Sequence, residues 1–243
     1  MECTKEPFDL QLIELKGRIK EHDQIEPFSD ILDDNFLTGF LRGKKGDVDK
    51  TVKCLEHYIQ MRTVKYKNFT KTFRPSTVKL LDQGALQMMK HHDPLGRVVL
   101  LVQITIAAAL FMMDEGIRHY FATGNEFVTI VDCAGACLAQ ARTMTLRNIF
   151  LMVDMFTKNV PSRPKAIHFI HFHSDVEHLH DHIPSRILPY SLKGELSLED
   201  AIDLNTIPRI KSSDEFYERL SSQLDNTTRH GDKSRSASSR RRS

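Results

Sequence analysis

Residues 124–135 read GNEFVTIVDCAG, residues 145–161 read TLRNIFLMVDMFTKNVP, and residues 162–170 read SRPKAIHFI. Phe127 to Val131 is a β-rich run. It leads into a segment in which Leu146, Ile149, Phe150, Val153 and Phe156 recur at helical spacing, while Met152 and Met155 widen the stripe. Pro161 stands just past that stripe, where helices stop, and Ala166 to Ile170 is a second apolar run. The order predicts a β-α-β unit. Both runs are nearly continuous in apolar residues, which predicts strands covered on two faces.

Upstream, residues 8–22 (FDLQLIELKGRIKEH) predict a short amphipathic helix, and Pro27 ends what precedes it. A second helix is expected from Asp30 to Arg42, with Leu32, Phe36, Leu37, Phe40 and Leu41 on one face. The glycines of GKKGD interrupt the pattern. Asp47 then caps a third helix whose buried stripe is Val48, Val52, Leu55 and Ile59. Residues 74–76 (RPS) restart the chain with a brief helix stopped at Gly84. Asp93-Pro94-Leu95-Gly96 has the residue order of a type I turn, so a hairpin is expected, with Arg97 to Ile104 as an inner strand beside Phe127 to Val131. That strand runs into a helical pattern over residues 105–121 with no Gly, Pro, Asn or Asp to turn the chain.

Composition narrows the classes of function. The chain has 243 residues and 40% hydrophobic content, enough to bury a sizeable core. The charged N-terminus lacks the apolar centre of a secretory signal, and four cysteines at irregular spacing do not make a disulfide framework. A reducing, cytoplasmic setting is expected. The longest apolar run, Val98 to Met113, is shorter than the roughly 18 residues of a bilayer span and is broken by Gln103. Net charge is +2, yet Arg229, Lys233, Arg235, Arg240, Arg241 and Arg242 face only Asp232 in the last fifteen residues, so the basic character belongs to the tail.

Several stretches carry a family resemblance. DDNFLTGFLRGKKGDVDKTVKCLEHYIQMR, DPLGRVVLLVQI, FVTIVDCAG, VPSRPKAIHFI and HIPSRILP occur in the order found in the CRAL-TRIO lipid-binding family, over roughly residues 30–205. The resemblance implies an α/β fold: an N-terminal helical lobe followed by a CRAL-TRIO type α/β/α domain with a mainly parallel or mixed sheet. It divides the chain into a lobe (1–75), a lipid-binding domain (76–215) and a basic Ser/Arg-rich disordered tail (216–243). Against the family pattern, segments are missing at Ile104-Thr105 and at Ile170-His171, where the gate helix and a basic stretch stand in similar proteins. The implied function is binding and transfer of a tocopherol-, retinoid- or phospholipid-like molecule between membranes by a monomer peripheral to them. The alternative is a non-transferring regulatory or scaffold protein with an incomplete pocket.

By position in the resemblance, Phe111, Met112, Met113, Phe127, Thr129, Met144, Met152, Met155, Phe156, Val160 and Ile167 face the lipid. Methionine suits such a wall because it is flexible and polarizable. For each residue, core packing remains the other reading. Lys44, Arg163 and Lys165 match positions that hold phosphoinositide phosphates, and cations suit that role. Solvated surface charge is the plainer alternative.

Chemistry finds less support. His168, His171, His173, His178, His180 and His182 alternate, but no cysteine or acid completes a metal-ligand spacing. Cys133 and Cys137 are one residue too far apart for a dithiol motif and read as two buried small residues. Asp132 ends a strand without a nucleophile elbow or a phosphate loop near it, and is expected to cap the next turn. No catalytic residue, metal, cofactor or nucleic-acid partner is expected. The tail has the charge to meet an anionic membrane or RNA, and phosphorylation of Ser234, Ser236, Ser238 and Ser239 would cancel that charge.

Overall fold

Two aspartates start the helices that build the N-terminal half. The computed structural model describes residues 8–65, 74–84, 86–102, 114–120, 125–134, 160–171 and 176–223. Helix α1 is Asp9–Lys20, α2 is Asp34–Gly43 and α3 is Val48–Gln60. The Asp33 carboxylate accepts from the Phe36 N–H at 2.9 Å, and Asp47 accepts from the Lys50 N–H at 2.9 Å, so both helices have the side-chain cap their orphan donors need. The second helix therefore begins at Asp34 and not at Asp30. Glu26–Ile31 is instead a separate 3₁₀ helix with Pro27 in its first turn, where a missing N–H costs nothing. Phe36, Phe40 and Tyr58 pack with ring centroids 5.0 to 5.7 Å apart and fix α2 against α3.

After a 3₁₀ turn (Pro75–Thr77) and a short helix α4 (Lys79–Asp82) come the strands β1 (Leu86–Met88), β2 (Val98–Val102), β3 (Glu126–Asp132) and β4 (Arg163–Ile170). Their order in the sheet is β1-β2-β3-β4. β1 runs antiparallel to β2, whereas β2, β3 and β4 are parallel, so the sheet is mixed. The expected turn joins β1 and β2: Gly96 N–H donates to the Asp93 carbonyl at 2.9 Å, and Gly96 takes φ 73°, a conformation that favours glycine. Of the helix predicted over residues 105–121, the described part, residues 114–120, is helical; the rest of it and the helix predicted over residues 145–161, up to residue 159, lie outside the described residues.

One expectation fails at β4. Its apolar sequence reads as a strand covered on both faces, yet it stands at the edge of the four strands, with Ile167 56% and Phe169 48% exposed. An apolar run records what a side chain tolerates, and it does not record how many neighbours the strand has.

The chain ends in helices α5 (Val176–His180), α6 (Leu198–Ala201), α7 (Thr206–Ser212) and α8 (residues 214–223). Because side chains alternate along a strand, the sheet buries two different cores. Val99, Val128, Ile130 and Ile170 pack with Val176, Leu179, Ile183 and Leu188. Val98, Leu100 and Phe127 join the core of the helical lobe, together with Ile210, Tyr217 and Leu220 from the C-terminal helices. A buried polar knot locks this second core. Asp114 accepts hydrogen bonds from Tyr58 at 2.8 Å, from Arg62 at 2.6 Å and from Tyr217. Among the described residues, no helix is long and apolar enough to cross a membrane.

Candidate functional site

The parallel pairing of β3 with β4 sets the candidate lipid face. Thr129 is paired in register with Ile167 and Val131 with Phe169, and Phe127 stands two residues before Thr129, so all five share one side of the sheet. This is the side from which Phe127 enters the core of the helical lobe. Phe127 and Val160 are buried in that core, Thr129 is half-buried and Ile167 is exposed. The structure thus brings Phe127, Thr129 and Ile167 into one row, graded from buried to open. Phe111, Met112, Met113, Met144, Met152, Met155 and Phe156 lie outside the described residues.

At the free end of the row, a cleft of about 320 Å³ runs along β4 toward α5. Its walls include Ile167, Phe169, Ile170 and Leu179, with the imidazoles of His168 and His182 beside them. The cleft is smaller than a large lipid needs, and its lining is mixed, with His178 joining the other two imidazoles among the apolar side chains.

The three predicted cations stand where the lobe meets the sheet. Arg163 Nη2 reaches the Gly43 carbonyl at 3.4 Å, at the C-terminal end of α2 and one residue from Lys44. Close packing makes that approach possible: a Cβ on Gly43 would collide with the Pro161 carbonyl and the Asn125 amide, so only glycine fits. Asn125 Nδ2 in turn donates to the Pro161 carbonyl at 2.6 Å. Burial pushes the Cys54 thiol pKa up, with the nearby Lys44 ammonium pulling the other way. Lys165 Nζ forms an ion pair with Glu126 Oε1 at 2.8 Å. A bulge between Phe127 and Val128 leaves Lys165 without a register partner on β3, which lets it reach the acid paired with Arg163.

Sequence reading missed Glu126 altogether. It also missed the Asp114 knot, because Arg62 and Asp114 are 52 residues apart and carry no local pattern.

The histidines are apportioned among separate roles. His168 and His182 lie ring to ring at 5.1 Å, and His180 Nε2 meets the Leu192 carbonyl at 3.0 Å. His171 Nδ1 meets Asp132 Oδ1 at 2.7 Å. His173 lies outside the described residues, among which no three His, Cys, Asp or Glu side chains converge as a metal site. Asp132 caps its turn as expected, accepting from the Ala134 N–H at 2.8 Å. Cys133 departs from expectation: it is half-exposed where a buried residue was predicted, because β3 ends at Asp132 and the chain leaves the sheet there. Burial and then the Asp132 charge push its thiol pKa up, which makes it a poor nucleophile. Cys137 lies outside the described residues.

Comparison with known proteins agrees with this architecture. No family model matches the chain. An alpha-tocopherol transfer protein-like protein of Mus musculus is 26% identical over 229 residues, covering 78% of this chain and 66% of the relative. Its Homo sapiens counterpart is 25% identical over the same coverage. Clavesin-1 of Rattus norvegicus is 25% identical over 153 residues, covering 57% of this chain and 43% of the relative. The chain therefore spans just under two thirds of the length of the first of these relatives and less than half of the last. The relatives are CRAL-TRIO proteins, and the chain resembles that family in sequence, in its mixed sheet and in its α/β class.

Proposed function

We propose that this chain binds one small hydrophobic lipid and carries it between membranes without a chemical step. The observation that carries the reading is the row Phe127, Thr129, Ile167, with Phe169 beside it: an apolar sheet face that begins in the core and ends open. A soluble carrier needs such a face, since hiding apolar lipid surface from water is favourable by about 25 cal/mol per Å². The relatives support the reading through the transfer named in one of them. The lobe (1–75) and the sheet domain (76–215) together form the carrier; the expected tail boundary at residue 216 is too early, because α8 runs to residue 223 and buries Tyr217 and Leu220 in the core, and the basic residues beyond it add non-specific attraction to anionic membranes. Lys44, Arg163 and Lys165 form its contact with phosphorylated lipid head groups. An enzyme finds little footing among the described residues: next to the Asp132–His171 pair, the Cys133 thiol pKa is raised, so that thiol is not activated.

Narrowing the row tests the reading. Thr129→Trp should remove most lipid loading, measured as lipid extracted per mole of protein, while shifting the melting temperature by only a few degrees. Equal loss of loading and stability assigns Thr129 to the core, where overpacking costs roughly 1 to 3 kcal/mol. Full loading with intact stability removes the face from the binding site.

A further inference from the structure

The cationic cluster contains its own anion. Glu126 is paired in register with Arg163 and forms the 2.8 Å ion pair with Lys165. Val98 pairs with Phe127, so Arg97, one residue before Val98, completes a row across the N-terminal ends of β2, β3 and β4. Arg97 is already held by the Asp93 carboxylate, through Nε at 2.5 Å. Arg163 faces a backbone carbonyl of α2, which has no charge to give up. In this row, Glu126 is the acid that an incoming phosphate must displace.

We infer that Glu126 is the specificity-determining residue of the cluster, a resident carboxylate that admits phosphomonoesters and refuses phosphodiesters. The inference rests on the reading of Lys44, Arg163 and Lys165 as a phosphate contact. A phosphodiester brings one negative charge, the same as the carboxylate it would replace, and gains little from the exchange. A phosphomonoester brings close to two charges and three acceptor oxygens, enough to take Lys165 and engage Arg163 as well. The side chains of Glu126 and Lys165 are 38% and 40% exposed, and an ion pair that open is weak enough to be exchanged. The carboxyl is already committed to its cations: the Lys165 hydrogen bond, opposed by burial and aided by the charges of Lys165, Arg163 and Arg97, holds its pKa below the ordinary value.

The test uses the full chain and neutral phosphatidylcholine vesicles carrying equal total charge, either as phosphatidylserine or as a phosphatidylinositol monophosphate. The parent should favour the monophosphate. Glu126→Gln should raise affinity for phosphatidylserine about three- to tenfold and affinity for the monophosphate less, so that the preference narrows. Glu126→Thr, which suits a strand, should do the same if the Gln variant folds poorly. An unchanged preference in both variants, with Arg163→Ala/Lys165→Ala still abolishing it, overturns the role of Glu126 and leaves the cluster standing. A parent without preference, unaffected by the double substitution, overturns the cluster and the inference together. Inorganic phosphate in competition distinguishes the sources: displacement of vesicles assigns the phosphomonoester alone, and no displacement assigns the head group in its membrane.

Discussion

Asp114 shows how much can depend on one side chain. Its carboxylate takes hydrogen bonds from Tyr58, Arg62 and Tyr217, and the Arg62 guanidinium lies 5.0 Å from the Tyr58 ring centroid and 5.8 Å from that of Tyr217. Arg62 is fully buried, so the 2.6 Å ion pair with Asp114 offsets much of the cost of burying its charge. Asp114→Asn keeps the shape and most of the hydrogen bonding but removes that counter-charge from a buried cation. We expect a loss of roughly 3 to 5 kcal/mol of stability, read from the denaturant midpoint. A loss below about 1 kcal/mol would place Arg62 in contact with water. None of this was legible in the sequence, where Asp114 reads as one more polar residue in DEGIRHY. The Asp33 and Asp47 caps were easier to read, because their partners lie three residues away.

At the scale of the element, β4 carries most of what is functional, and it was only half legible. Its β character and its parallel pairing with β3 followed from the β-α-β pattern. Its edge position did not, since position in a sheet is decided by partners far along the chain. The bulge that frees Lys165 to reach Glu126 was hidden for the same reason. His168 gives this strand a pH signature. Burial, then the neighbouring imidazole of His182 and the guanidinium of Arg97, lower its pKa from the ordinary 6.5. Between that lowered value and 6.5 the unfolded chain binds more protons than the folded one, so stability rises with pH across this window and is lost as pH falls below 6.5. His168→Gln removes that contribution. The fall in melting temperature between about pH 7.5 and about pH 5.5 should be smaller in the variant than in the parent, whereas an equal fall would show that His168 titrates as it does in water.

For the whole molecule, the expected division at residue 75 does not divide the core. Leu15, Phe36 and Tyr58 from the lobe share one apolar cluster with Val98, Leu100 and Phe127 from the sheet and with Tyr217 and Leu220 from α8. Lobe and sheet should therefore unfold together. Urea titrations followed by far-ultraviolet dichroism and by tyrosine fluorescence should coincide in one transition, and separate midpoints would show two independent units. Family order gave the fold class and the approximate place of the site, because it records the succession of lobe, hairpin and β-α-β unit. It did not show how far the apolar row opens, which depends on the packing around Ile167 and Phe169. Whether that row holds a molecule is the central question. Native mass spectrometry of the protein purified from cells, followed by extraction of whatever travels with it, answers most directly. A single defined hydrophobic lipid bound at one per chain, and lost in Thr129→Trp, is the result the account predicts; folded, monodisperse protein that emerges empty from every preparation would contradict it.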